Sequence, residues 1–141
     1  MNRKILVLDI DGTLVNDKKE ITPKTKEKLM EMQKAGHVLM LATGRPTPGA
    51  ARFVKELKLD EYGGYLLSYN GGRIMNCKTK EVMYQKVLPK EVIPKLYAFA
   101  KAHKCGIITY EKDTVILGNG IDQYIEWEAK LNQLPVKLTI L

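Results

Sequence analysis

Asp9-Ile10-Asp11-Gly12-Thr13 directly follows the apolar run Ile5-Leu6-Val7-Leu8. A short continuous apolar run reads as a strand covered on both faces. Such a strand has no structural reason to end in two acids one residue apart, because an unpaired buried charge is costly. Gly12 lets the chain turn sharply straight after them. In open α/β sheets, ligands bind just outside the carboxyl ends of the strands. Asp9 and Asp11 therefore read as a reactive acid pair at the mouth of a site.

The following residues repeat the pattern. Thr22 suits a helix N-cap, Pro23 the first helical position and Gly36 a stop, with Leu29, Met32 and Ala35 recurring between them at helical spacing. Val38–Ala42 is a second apolar strand. Pro48 opens a second helix with Ala50, Phe53, Val54 and Leu57 on one face, and residues 65–69 form a third strand. Strands alternating with single helices imply a parallel sheet with right-handed crossovers.

After residue 70 the character changes. Residues 73–76 and 81–87 read as a hairpin around Lys78-Thr79-Lys80. Residues 91–104 are helical, with Val92, Leu96 and Phe99 in register and Pro94 near the start of the regular helix. Residues 106–110 and 114–117 pair across Glu111-Lys112-Asp113, and 121–131 form a last helix with Tyr124, Trp127 and Leu131 inward. This is the start of an α+β unit. The expected domains are 1–86 and 87–141.

The formal net charge of +7 raises the question of nucleic acid. The lysines are scattered over polar helix positions (Lys24, Lys26, Lys28, Lys55, Lys58, Lys101, Lys104), with no basic cluster interleaved with aromatics. A positive field of this kind favours anionic substrates such as phosphates, and nucleic acid is not expected as the ligand. No apolar run approaches the ~20 residues that span a bilayer. The apolar stretch near the N-terminus is too short for a signal peptide, so a cytoplasmic protein is the default. Cys77 and Cys105 lack metal-ligand spacing and read as reduced thiols. His37 and His103 read as helix-end residues. Met30, Met32, Met40 and Met83 read as core filler, Tyr124 and Trp127 as core of the second unit, and Asp17 and Glu20 as solvated.

Three strand ends carry polar residues: Asp9 and Asp11, then Thr43-Gly44-Arg45, then Asn70-Gly71-Gly72. Each alone is also ordinary turn chemistry. In a parallel sheet, however, the three ends lie side by side. Two acids, a hydroxyl, free backbone amides, an arginine and an amide side chain then line one crevice. Carboxylates and carbonyls are the ligands magnesium prefers, and hydroxyl, amide N–H and arginine hold phosphate oxygens.

With Leu41-Ala42 before Thr43 and Tyr69 before Asn70, these segments resemble the Cof-type branch of the haloacid dehalogenase superfamily along essentially the whole chain. The resemblance implies a Rossmann-like α/β core with a parallel sheet and an inserted cap domain. It also implies Mg²⁺-dependent hydrolysis of small phosphorylated metabolites. By that resemblance Asp9 is the nucleophile that forms an aspartyl-phosphate, and Asp11 the general acid and then base. Asp9 and the Asp11 backbone carbonyl would hold the metal. Gly12, Thr43, Gly44, Arg45 and Asn70 would face the substrate, with the Thr43 hydroxyl and the Gly44 amide on a phosphoryl oxygen.

The family pattern also has a lysine and a GDxxND-like acidic strand end after the cap, and neither occurs in these 141 residues. Gly120-Ile121-Asp122 lacks the second acid, and Lys137 falls in an expected cap strand. The chain therefore reads as the N-terminal part of a longer protein. Without further strands, Ile5–Leu8 becomes an exposed apolar edge. The expectation is a piece that is poorly stable alone, or covered by a second copy or a complementing chain. The alternatives are a non-catalytic phosphate-binding or interaction module that kept half of the site, and a phosphomutase.

Overall fold

The computed structural model describes residues 2–112, 114–117, 120 and 122–138. The chain divides into two compact units, Met1–Lys86 and Val87–Leu141.

The first unit runs β1 (Ile5–Leu8), α1 (Pro23–Lys34), β2 (Val38–Ala42), α2 (Thr47–Glu56), α3 (Leu59–Tyr62), β3 (Tyr65–Ser68), a 3₁₀ turn (Tyr69–Gly71), β4 (Arg73–Asn76) and β5 (Val82–Gln85). Its sheet has the order β1-β2-β3-β4-β5. The first three strands are parallel, in the register Leu8 to Leu41 and Ala42 to Leu67. The β4–β5 hairpin joins β3 antiparallel.

Thr22 caps α1 by accepting from the Thr25 amide, and Gly36 takes a φ of +89° just past the helix end. Leu29 is buried and Met32 packs on the core. Ala35 is exposed, against expectation, because it caps the C-terminus; Gln33 is buried instead and donates to the Leu57 carbonyl at 2.8 Å. On α2, Ala50, Phe53 and Val54 face the core, followed by Leu57 at its C-cap. The short α3 begins after Lys58, whose left-handed backbone no apolar periodicity signals.

β1 departs from the reading of a doubly covered strand. It pairs with β2 on one side only and forms the edge of the sheet. Ile5 and Val7, on one face, are 64% and 52% exposed. On the other face Leu8 packs against the core cluster. Met83 is likewise exposed rather than core, on the other edge strand, β5.

The second unit runs through a 3₁₀ turn (Lys90–Val92), α4 (Ile93–Ala102), β6 (Ile108–Glu111), β7 (Thr114–Leu117), α5 (Gln123–Asn132) and β8 (Val136–Leu138). β6 and β7 are antiparallel, and β8 adds to β7 in parallel. Val115 and Ile125 are its buried cluster, with Ile108, Tyr110, Leu134 and Val136 packed on them.

Both helices turn different faces inward from those the sequence suggests. On α4, Ala100 is buried while Leu96 and Phe99 are exposed; Phe99 stacks on the His103 ring at 4.1 Å. On α5, Ile125, Ala129 and Asn132 are buried, Tyr124 and Trp127 are exposed, and Leu131 is partly buried. The α5 stripes are each consistent with helical spacing, and packing of Ile125 against Val115 selects between them. Ile121, expected at the start of that helix, and Asp113, in the expected turn, lie outside the described residues. No helix among the described residues is long and apolar enough to cross a membrane.

Candidate active site

The parallel register brings the ends of β1, β2 and β3 to one edge of the sheet. Straight after β1 the chain enters a tight helical turn, in which the Leu14 amide donates to the Asp9 carbonyl and the Val15 amide to Ile10. Ile10 is fully buried and anchors the two acids flanking it. Gly12 stands at φ +81°, where a side chain would be strained. Asp9 is exposed, and its carboxylate accepts from the Ile10 amide at 2.8 Å.

Asp11 is held much more firmly. Arg45 donates from Nε to Oδ2 at 2.7 Å and from Nη2 to Oδ1 at 2.8 Å. Lys19 Nζ adds a third contact, at 3.0 Å from Oδ1. Bidentate arginine–carboxylate pairs are among the stronger hydrogen-bonded contacts. The Arg45 guanidinium, helped by Lys19 and opposed by partial burial, holds the Asp11 carboxyl down at about 2.

Arg45 itself is buried. Its Nη1 donates to the Gly49 carbonyl at 3.2 Å, and its guanidinium lies 5.3 Å from the centre of the Phe53 ring. Arg52 covers the same ring at 4.3 Å and donates to the Lys19 carbonyl. Asp11, Arg45, Phe53, Arg52 and Lys19 thus form a closed set of contacts.

Thr43 follows β2 and is buried; its Oγ1 accepts from the Arg45 amide at 3.1 Å. The hydroxyl therefore keeps its own hydrogen for another acceptor. The Asn70 amide donates to the Thr43 carbonyl and the Tyr69 amide to the Arg45 carbonyl, tying the β3 end to the β2 end. Tyr69, Asn70 and Gly71 all have positive φ, an uncommon run in which only Gly71 is free of strain. The Asn70 side chain lies over Gly44 so closely that a Cβ there would stand 2.8 Å from Asn70 Oδ1. A side chain at position 44 would displace the Asn70 amide from this place.

Asp9, Asp11, Gly12, Thr43, Gly44, Arg45 and Asn70, the candidate site residues of the sequence, all lie at these three strand ends. The signal missed in the sequence is Lys19: it is one of two adjacent lysines in a polar turn, and nothing local says which one points back. The clamp by Arg45 was also hidden, because it closes across 34 positions of sequence. Asp122 caps α5, accepting from the Tyr124 and Ile125 amides, and Lys137 lies on β8.

As a metal site the donor chemistry fits in part. Asp9 and the Asp11 carbonyl are hard oxygen donors of the type magnesium takes, and magnesium commonly keeps several waters. Among the described residues no group of three or more His, Cys, Asp or Glu could hold a metal ion. Asp9 and the Asp11 carbonyl would supply two protein oxygens to the metal.

Comparison with known proteins gives the wider identity. Residues 6–139 match the haloacid dehalogenase-like hydrolase family. "Putative phosphatase YxeH" of Bacillus subtilis (strain 168) is 31% identical over 134 residues, which are 94% of this chain and 50% of that protein. Pyridoxal phosphate phosphatase YbhA of Escherichia coli (strain K12) is 31% identical over 88 residues, covering 59% of this chain and 32% of that protein. The crystal structure of a haloacid dehalogenase-like hydrolase from Bacteroides thetaiotaomicron superposes with a TM-score of 0.90 at 45% identity, covering 98% of this chain and 52% of that one. The chain belongs to the haloacid dehalogenase-like hydrolases. It spans about half the length of the first of these relatives and of the solved structure.

Proposed function

We propose that this chain carries the nucleophile-bearing half of a magnesium-dependent phosphomonoester hydrolase that acts in the cytoplasm on a small phosphorylated metabolite. The observation that carries the reading is the contrast between the two acids. Asp9 presents an exposed carboxylate at the strand end, while Asp11 beside it is locked by a buried arginine. An exposed carboxylate can attack; an oriented one can move a proton at a fixed place.

In this reading an Asp9 carboxylate oxygen forms a bond to phosphorus as the ester P–O bond breaks. Asp11 protonates the departing oxygen and then takes the proton of the water that hydrolyses the aspartyl-phosphate. Bound magnesium supplies charge neutralisation for the approach of a carboxylate to a phosphate dianion. The Thr43 hydroxyl and the Gly44 amide hold phosphoryl oxygens, with Gly12 and Asn70 lining the site and Arg45 acting through Asp11. In the empty site Arg45 and Lys19 hold Asp11 ionised, the form that acts as base; its role as acid needs a protonated Asp11 in the substrate complex. The segment after residue 86 belongs to a cap, and the bare edge of β1 is covered by a second copy or a complementing chain. Phosphoryl transfer to a second sugar position, as in a mutase, would use the same groups.

A second reading, a phosphate-binding module without turnover, is favoured by the lack of a third acid near Asp9 and Asp11 among the described residues. Hydrolysis of p-nitrophenyl phosphate with and without magnesium, with Asp9→Asn as control, separates the two. Turnover that disappears in Asp9→Asn is the expected result. Turnover unchanged by that substitution rejects Asp9 as nucleophile. A folded chain with no turnover leaves the module.

A further inference from the structure

Lys19 sits at the tip of a turn built by its neighbours. The Lys19 amide donates to the Asn16 carbonyl at 2.9 Å, and the Asn16 amide donates to the Glu20 carbonyl at 3.0 Å. The Asn16 side-chain oxygen accepts from the amides of Lys18 and Glu20, both at 3.0 Å. A β-bridge between Asp11 and Val15 brings the segment leading into this turn alongside the first motif. From outside, Arg52 fastens the Lys19 carbonyl at 3.0 Å. The side chain that emerges turns back and lays its ammonium on Asp11.

Lys19 adopts φ +61°, a conformation costly for a residue with a side chain. Four other lysines share it (Lys58, Lys80, Lys104 and Lys112), so the backbone alone marks nothing. Lys19 differs in where its charge goes. Asp11 carries one negative charge, and Arg45 already donates to each of its oxygens. Lys19 is a second cation on the same anion. Arg45 is buried and fixed, whereas the Lys19 side chain is about one-third exposed. An ammonium on a flexible four-carbon stem can swing without breaking the arginine clamp, and it has three donors to share.

We propose that Lys19 is a phosphoryl-binding residue of this site: it parks on Asp11 when the site is empty and moves onto a non-bridging oxygen of a bound phosphate monoester. This rests on the reading of the Asp9–Asp11 edge as a phosphate site and adds a cation to it. The turn and the Arg52 contact hold the base of the side chain, so only its outer bonds need to rotate. The excess positive charge is thereby kept next to the acids until a dianion arrives.

The test is titration of the 141-residue chain with inorganic phosphate in the presence of magnesium, followed through the backbone amide resonances of Gly12 and Gly44. Lys19→Met removes the charge. Lys19→Gly also removes it but relieves the left-handed backbone, so the turn is kept or improved. Lys19→Arg keeps the charge. Both neutral variants should bind phosphate roughly tenfold or more weakly, the usual scale for losing a charge-assisted hydrogen bond, while Lys19→Arg stays within about threefold of the parent. The dispersion of the same spectra reports whether each variant is folded. Neutral variants that bind as tightly as the parent overturn the role of Lys19 while leaving the phosphate site standing. No movement of Gly12 or Gly44 in the parent overturns the phosphate site itself, and the proposal with it.

Discussion

The two units bury apolar side chains to very different depths. In the first, Ile10, Leu39, Leu41, Leu57, Leu59 and Leu66 are fully enclosed within one continuous cluster that reaches from the first motif to Cys77. In the second, the described residues give a buried apolar cluster of Val115 and Ile125 alone, while Leu96, Phe99, Tyr124 and Trp127 stand exposed. A site needs the deep kind. Ile10 and Phe53 are the packed members that hold Asp11 and Arg45, so precision at the strand ends derives from close packing beneath them.

The sharpest way to break this contrast is to truncate one aromatic from each unit. Phe53→Ala removes an almost fully buried ring, and is expected to cost about 3–5 kcal/mol in urea unfolding. It should also loosen Arg45 and Arg52, whose guanidinium groups lie over this ring. Trp127→Ala removes a larger ring that is 59% exposed, and should change stability by no more than about 0.5 kcal/mol. If the tryptophan substitution proves the costlier, the second unit has a core that its described residues do not reveal.

The two cysteines sharpen the comparison by chemistry. Cys77 is enclosed in the first unit and Cys105 is exposed in the second. Burial, with a little help from Asp60 and against the pull of Lys80, pushes the Cys77 thiol up to about 11. An alkylating reagent at pH 8 should therefore modify Cys105 first and reach Cys77 only after unfolding, as mass spectrometry of the labelled peptides will report. The folded chain keeps the Cys77 proton to higher pH than the unfolded chain does. The contribution is complete below about pH 9 and is lost as pH rises toward 11. Equal labelling of both thiols in the folded protein would contradict the enclosed position of Cys77.

Legibility from the sequence follows the same division. The caps of α1 were readable because Thr22, Pro23 and Gly36 act locally, and β2 was readable because its burial matches its apolar run. All the candidate strand-end residues were readable, because glycine, acid and amide side chains interrupting apolar strands need a reason to be there. The phase of α5 was not. Its aromatic stripe and its buried stripe both fit a helix, and only contact with a distant strand decides between them. Likewise the partner of Arg45 and the direction of Lys19 depend on closure in three dimensions. Local rules fix elements and their ends; which charge meets which is a tertiary fact.

β1 is where the deep unit behaves like the shallow one, and it offers the gentlest test. On one face of the strand Leu8 is packed and Leu6 is 38% exposed, while Ile5 and Val7 on the other are bare, and the far edge carries no partner strand among the described residues. An apolar edge of this kind is a template for pairing with another chain. Val7→Lys places a charge on the bare face, a device by which natural edges resist pairing. Because Val7 is 52% exposed, the substitution should leave unfolding free energy within about 0.5 kcal/mol. Its effect should appear instead in sedimentation velocity, as a smaller self-associated fraction at the same concentration. If the parent is already a cooperatively melting monomer at high concentration and the lysine changes nothing, the edge needs no cover. In that event the packing of β1 against β2, and of Leu8 against the core, is enough to hold Asp9 and Asp11 in place.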